Sequence, residues 1–182
     1  MEALIFGVLF AMALFWAVGA HNRLVRLRAE VVRQWGSVDA VWLRLLVRLQ
    51  GGIAARQSLV VAVEGGEGEL HTLQVACDEL MEALLQARLQ PLAVEGQKQV
   101  LALHQKVVLE IRALLLKDNE AIKPDLEIAL KRMRQTLPAA LIPYHVAVAA
   151  YNDALAMQPA GWLAKRLRLQ PATRMDLSVG VG

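Results

Sequence analysis

The sequence predicts an all-α protein: one apolar amino-terminal helix crosses a membrane and continues into an antiparallel helical bundle. Three observations predict it. Residues 3–20 read ALIFGVLFAMALFWAVGA, without a charge or a proline. Beyond them, apolar residues recur at helical spacing, with no alternating strand pattern of useful length and no repeat of roughly 20–50 residues. Aromatic residues make up only 5% while Leu, Ala and Val dominate, a balance that disfavours a β-sandwich and favours helices. At 182 residues the chain fits one domain, with or without an appendage, and can bury a core without disulfide staples. Its single cysteine excludes an intrachain disulfide framework and a Cys-rich zinc site. With 56% hydrophobic residues it is too apolar for a disordered chain and for an ordinary soluble domain, and the excess lies at the amino terminus.

A helix over residues 3–20 rises about 27 Å, close to the roughly 30 Å hydrocarbon core of a bilayer. Its Leu, Ile, Phe and Val side chains favour insertion by about 0.3–0.6 kcal/mol each, and no Asp, Lys or Arg opposes them. Trp16 falls near one end, where an indole suits the membrane–water interface. Beyond that end stand Arg23, Arg26, Arg28 and Arg33, opposed only by Glu30. Cytoplasmic flanks carry the positive excess, so the expected orientation is amino terminus out and carboxyl domain in. A cleaved signal peptide is the competing reading, with Val18-Gly19-Ala20 as a cleavage site. Met1-Glu2 supplies an acid where such a peptide carries a basic region. Residues 137–150 are too short for a second span and contain Pro138 and Pro143.

The expected organisation is an anchor over residues 1–21, a bundle domain over 22–160, and a basic amphipathic segment with a flexible tail over 161–182. The first bundle helix continues the anchor. Leu24, Val31, Val38 and Leu45 recur every seven residues, with Leu27 and Val41 between them. This seam faces the chain's own core or pairs with a second copy. Gly51-Gly52 is expected to end the helix. A second stretch, about residues 53–89, carries the stripe Leu70, Leu73, Cys77, Leu80, Leu84 and Ala87, with a kink or break in EGGEGE, residues 64–69. Pro91 separates it from a third helix over about 92–116. Residues 117–120 form a polar turn. Pro124 then opens a fourth helix to about Leu137, Pro138 and Pro143 break it, and a further helix runs over 144–157 until Pro159 and Gly161. The bundle is expected to be left-handed with shallow crossings.

The residues also carry a resemblance. His21-Asn22-Arg23-Leu24-Val25-Arg26-Leu27-Arg28, followed by Trp35-Gly36-Ser37-Val38-Asp39, is similar to the first-helix pattern YNxLVxLRxxVxxAWSxID of the LemA family. Asn22, Leu24, Val25, Leu27, Arg28, Val31, Trp35, Ser37 and Asp39 match. Late in the chain, Tyr144, Ala147, Val148, Tyr151 and Asn152 match the YNxAVxxYN helix of that family. The close, Leu163-Ala164-Lys165-Arg166-Leu167 and then Gln170-Pro171, resembles LARLLGFRP. His21, His145 and Gly51-Gly52 depart from the pattern, so the chain resembles a divergent member. The resemblance implies a bacterial, single-span, inner-membrane protein with a cytoplasmic helical bundle, and it implies no catalytic site.

No chemistry-bearing motif emerges. His21, His71, His104 and His145 have no metal-ligand spacing and read as surface or boundary residues. Cys77 reads as a small buried hydrophobe. EGGEGE lacks the Lys-Ser/Thr of a phosphate loop and follows no strand. No Glu-x-x-His pair supports a di-metal bundle. The expectation is therefore a non-enzymatic scaffold or interaction module, with no catalytic, cofactor or metal residues and no small-molecule substrate. Its partners would be the lipid bilayer and either a second copy or another inner-membrane protein. Nucleic acid is not expected, because the basic excess hugs the membrane. Trp16, Arg23, Arg26 and Arg28 are the candidate membrane-interface residues. Trp35, Asp39 and Trp42 share one helix face. A buried Asp39 needs donors, and Tyr144, Tyr151 and Asn152 on the last helix are the candidates for a polar network that fixes register. Lys165, Arg166 and Arg168 interleave with Trp162, Leu163, Leu167 and Leu169 in a segment that either lies on membrane or caps the bundle. An exported, pilin-like or signal-peptide-bearing envelope protein is the alternative; a pilin needs an acid early in the apolar helix, and none follows Gly7 in the span.

Overall fold

The computed structural model describes residues 1–60, 66–117, 122–157 and 160–177. Among them every regular element is a helix: α1 (Glu2–Val60), α2 (Gly66–Leu89), α3 (Val94–Leu115), α4 (Lys123–Ala156) and the short α5 (Ala160–Arg166). The chain divides into two compact units. The first holds Met1–Gln34 and Pro143–Arg174, the second Trp35–Ile142 and Met175–Gly182. α1 and α4 each contribute residues to both.

In the second unit the apolar seams predict the core well. Val38, Leu45, Leu46, Leu49 and Ile53 of α1 are buried. So are Leu70, Leu73, Cys77, Leu80, Leu84 and Ala87 of α2, the whole stripe expected of it. Two ties show that α2 runs antiparallel to α1, since Arg88 reaches Asp39 and Gln50 reaches Asp78. α3 in turn runs antiparallel to α2: Lys106 bonds Glu79 at one end, and Gly96 lies against Ala87 at the other. The turn between them is short because Pro91 ends α2, and the Ala93 N–H closes it on the Gln90 carbonyl at 2.9 Å. The buried Gln97 side chain donates to the Pro91 carbonyl at 2.8 Å, which holds the same turn from inside.

Two expected breaks do not occur. Gly51 and Gly52 lie inside α1, which continues to Val60. Each glycine costs a helix interior about 1 kcal/mol, but Leu46, Leu49 and Ile53 form one buried row across them, and burying each side chain returns about 1.5–3 kcal/mol. Pro138 and Pro143 likewise lie inside α4, which runs unbroken from Lys123 to Ala156. Each proline removes one backbone bond, to the carbonyl four residues earlier. Leu137, Leu141, Tyr144, Val148 and Tyr151 are all buried at spacings of four and three. That single apolar face keeps the helix in register through both prolines. Pro124 does open α4, as its ring geometry favours. The break expected at Gly65-Gly66 falls at the edge of the described residues, with α2 beginning at Gly66; Asp118–Glu120 of the polar turn and Pro159 lie outside them.

In the first unit Leu24 and Val31 of the α1 seam are also buried, so the seven-residue seam is spent inside the chain. Leu24, Ala154 and Ala164 form one buried cluster, with Leu27, Leu155 and Leu169 packed against it. α5 ends in a Schellman closure. Arg168 adopts φ 54°, the Arg168 N–H reaches the Lys165 carbonyl at 3.2 Å, and the Leu169 N–H reaches the Ala164 carbonyl at 3.0 Å. Leu169 meets Ala164 in the cluster, the apolar contact that accompanies this motif.

Candidate membrane interface and buried polar contacts

Among the described residues one helix is long and apolar enough to cross a membrane, and it is α1 near the amino terminus. Every described side chain from Leu4 to Trp16 is exposed, including Phe6, Phe10 and Phe15. A buried core helix shows one covered face; this stretch shows none. Trp16 is 43% exposed toward its downstream end. Arg23, Arg26 and Arg28 follow further along α1 and are exposed, whereas Arg33 donates to both carboxylate oxygens of Glu30 at 2.9 and 2.7 Å. The hydrogen bonds from Arg33, then from Gln34, hold the Glu30 carboxyl below its usual range. Among the described residues the exposed positive charge of this segment that Glu30 does not pair therefore lies at residues 23–28, close to the apolar stretch.

Trp35, Asp39 and Trp42 are all buried on one face of α1, with the two indole rings 6.2 Å apart and tilted by 56°. Asp39 is 2% exposed and takes its charge partner from α2: Arg88 Nε and Nη2 both donate to Oδ2, at 2.9 and 2.5 Å. The other carboxylate oxygen, Oδ1, is buried without a hydrogen bond among the described residues. The expected donors Tyr144, Tyr151 and Asn152 have a different task. The Tyr144 hydroxyl donates to the Thr173 carbonyl at 2.9 Å and the Tyr151 hydroxyl to the Gln170 carbonyl at 3.2 Å. The Asn152 amide donates to the Ala172 carbonyl at 2.8 Å, while its oxygen accepts from the Ala172 N–H at 2.9 Å. Residues 170–173, expected within a flexible tail, are strapped along α4 by these bonds. Burial raises the Tyr151 phenol, against a smaller opposing effect of the Arg28 charge, so it stays a neutral donor.

His104 is the largest departure from expectation, being 8% exposed rather than a surface or boundary residue. Its Nδ1 accepts from the Trp42 indole N–H at 3.4 Å, and the rings meet edge-on at 6.0 Å. Burial pushes the imidazole down to about 4. A sequence signal existed: Gln97, His104 and Ile111 repeat every seven residues beside the buried Val100, Val107 and Leu114. Arg88 had only a weak signal, as the one basic residue in the last turn of α2. Cys77 is buried, and burial, then the neighbouring Asp78 charge, raises its thiol to about 12, so it carries no thiolate at neutral pH. No group of three His, Cys, Asp or Glu residues is placed to hold a metal ion among the described residues.

The chain matches no protein-family model, no curated protein and no solved structure.

Proposed function

We propose that this chain is a single-pass membrane protein of the LemA type whose helical domain is a non-enzymatic scaffold or interaction module on the cytoplasmic face of a bacterial inner membrane. The observation that carries the reading is the bare apolar surface of α1 from Leu4 to Trp16, continuous with a helix whose later residues are packed. Such a surface on all sides of a helix has lipid as its matching solvent. The exposed Arg23, Arg26 and Arg28 favour retention of the downstream side in the cytoplasm, with the amino terminus outside. The family pattern at residues 21–39 and 144–152 agrees with that arrangement. A buried seam, charge-paired helices and an inert thiol fit a part that holds and presents rather than reacts. Its partners are the bilayer and a second copy or another inner-membrane protein.

Protease added to spheroplasts tests the topology. The domain survives intact if it is cytoplasmic; its digestion overturns the orientation. Amino-terminal sequencing of the mature chain tests the anchor, and a chain beginning at His21 would be an exported protein. Crosslinking in intact cells followed by mass spectrometry identifies what the domain touches. A hydrolytic activity of the purified chain that vanished on a single-residue change would overturn the scaffold reading.

A further inference from the structure

α5 is placed by packing, and its placement has a consequence for the membrane. Ala164, in the middle of α5, is buried with Leu24 and Ala154. Leu24 lies four residues past Ala20, about 6 Å along the helix axis at 1.5 Å per residue. The headgroup layer on each side of a bilayer is about 5–8 Å thick. If α1 spans as proposed above, α5 therefore lies at headgroup level on the side where the span emerges.

The face that α5 turns away from Leu24 is unusual for a soluble surface. Trp162 and Arg166 stand four residues apart, on the side of the helix opposite Ala164. Trp162 is 64% exposed and Leu167 43% exposed. Lys165, Arg166 and Arg168 are exposed around them. The Schellman closure at Arg168 and the strap over residues 170–173 fix this segment in place. Indole beside cations is the composition that settles at a membrane–water interface, where the ring lies among headgroups and the cations meet lipid phosphates.

We infer that α5 is a second, peripheral membrane contact: Trp162 inserts at headgroup depth and Lys165, Arg166 and Arg168 bind anionic phospholipid in the bilayer that α1 spans. This rests on the single-pass reading and adds an interaction surface to it. The occupant follows from the charge, which is uniformly positive on α5, while the exposed Arg23 and Arg26 flank Leu24 at the same level along the α1 axis.

The test uses the full chain reconstituted in vesicles with bromine-labelled lipids, which quench tryptophan at known depths. The Trp162 signal is the difference between the unmodified chain and Trp162→Phe. The span is read separately from a tryptophan placed at its middle, Phe10→Trp. In vesicles containing phosphatidylglycerol, labels near the headgroup are expected to quench the Trp162 signal and labels deep in the chains the Phe10→Trp signal. The Trp162 quenching should fall at least about twofold in vesicles of phosphatidylcholine alone, and in the triple variant Lys165→Gln, Arg166→Gln, Arg168→Asn. Asn is chosen at 168 because it tolerates positive φ, and circular dichroism checks that helix content is retained. Quenching at position 10 without quenching of Trp162, or Trp162 quenching indifferent to lipid charge, overturns the inference and leaves the span standing. Absence of quenching at position 10 overturns both.

Discussion

The two compact units satisfy their buried polar groups in different ways. In the second unit helix packs on helix and each helix pairs its own backbone, so two of the buried polar side chains meet other side chains, Asp39 with Arg88 and His104 with Trp42, while Gln97 reaches backbone only at the Pro91 turn. In the first unit α4 carries an extended segment whose backbone has no helix of its own. Its N–H and C=O groups must find partners elsewhere, and Tyr144, Tyr151 and Asn152 supply them at residues 170–173. Covering a helix requires only a matching apolar face, whereas covering extended chain requires donors and acceptors at set positions. Substitutions in the core of the second unit should accordingly lower global stability, whereas loss of a strap side chain in the first unit should open the strap locally.

The largest effect belongs to Trp42→Ala. Trp42 is fully buried and also donates to His104, so the change removes a ring from the core and strands an imidazole nitrogen. A loss of about 3–5 kcal/mol is expected in denaturant unfolding followed by circular dichroism. A loss below about 1 kcal/mol would mean that this core is not closed by the helix seams. The next effect is a pH dependence from His104. Its folded value of about 4 lies below the ordinary 6.5. Between the two, the unfolded chain binds the extra proton and the folded chain does not. The contribution of His104 is therefore full above about pH 6.5 and is lost as pH falls toward 4, by about 3 kcal/mol. His104→Phe should flatten that slope, and an unchanged slope would assign it to other groups.

Arg88→Ala and Asp39→Ala then sharpen the comparison through their inequality. The Asp39 side chain is 3% exposed and that of Arg88 is 51% exposed. Removing Arg88 leaves a buried carboxylate without its counter-charge, at a cost of about 2 kcal/mol. Removing Asp39 lets the guanidinium return to water and should cost about half as much. Equal losses would show that the pair is solvated from both sides.

What was legible in the sequence follows the same division. A helix seam announces itself because burial imposes a spacing of three and four on apolar residues, and the seven-residue seam of α1 and the stripe of α2 are buried as their spacing requires. Glycine and proline rules are local, and they fail at Gly51-Gly52 and at Pro138 and Pro143, where a buried row on either side of the break outweighs the local cost. Gln97 and His104 were visible in their seven-residue spacing, but polarity alone reads as exposure until a partner is known. The strap was invisible for a deeper reason. Its acceptors are carbonyls, which every residue carries, so nothing in Gln170, Ala172 or Thr173 marks them as partners of Tyr151, Asn152 or Tyr144.

The smallest expected effect tests that strap directly. Asn152 makes two bonds to Ala172, one through each end of its amide, as a neighbouring strand would. Asn152→Ala removes both, at roughly 1 kcal/mol net. Because the bonds hold a surface segment, the loss should appear as local opening more than as a lower unfolding midpoint. Arg174 lies just beyond the strap and is exposed, so trypsin cleavage there reports the opening. At about 1.4 kcal/mol per factor of ten, cleavage at Arg174 should quicken by about fivefold while global stability moves little. Tyr151→Phe loses one bond from a phenol that burial keeps neutral, and should quicken cleavage less than Asn152→Ala. If instead both variants left the cleavage rate unchanged, residues 170–173 would be held by the apolar contacts of Ala172 and Leu169. The first unit would then be closed by side-chain packing, as the second is.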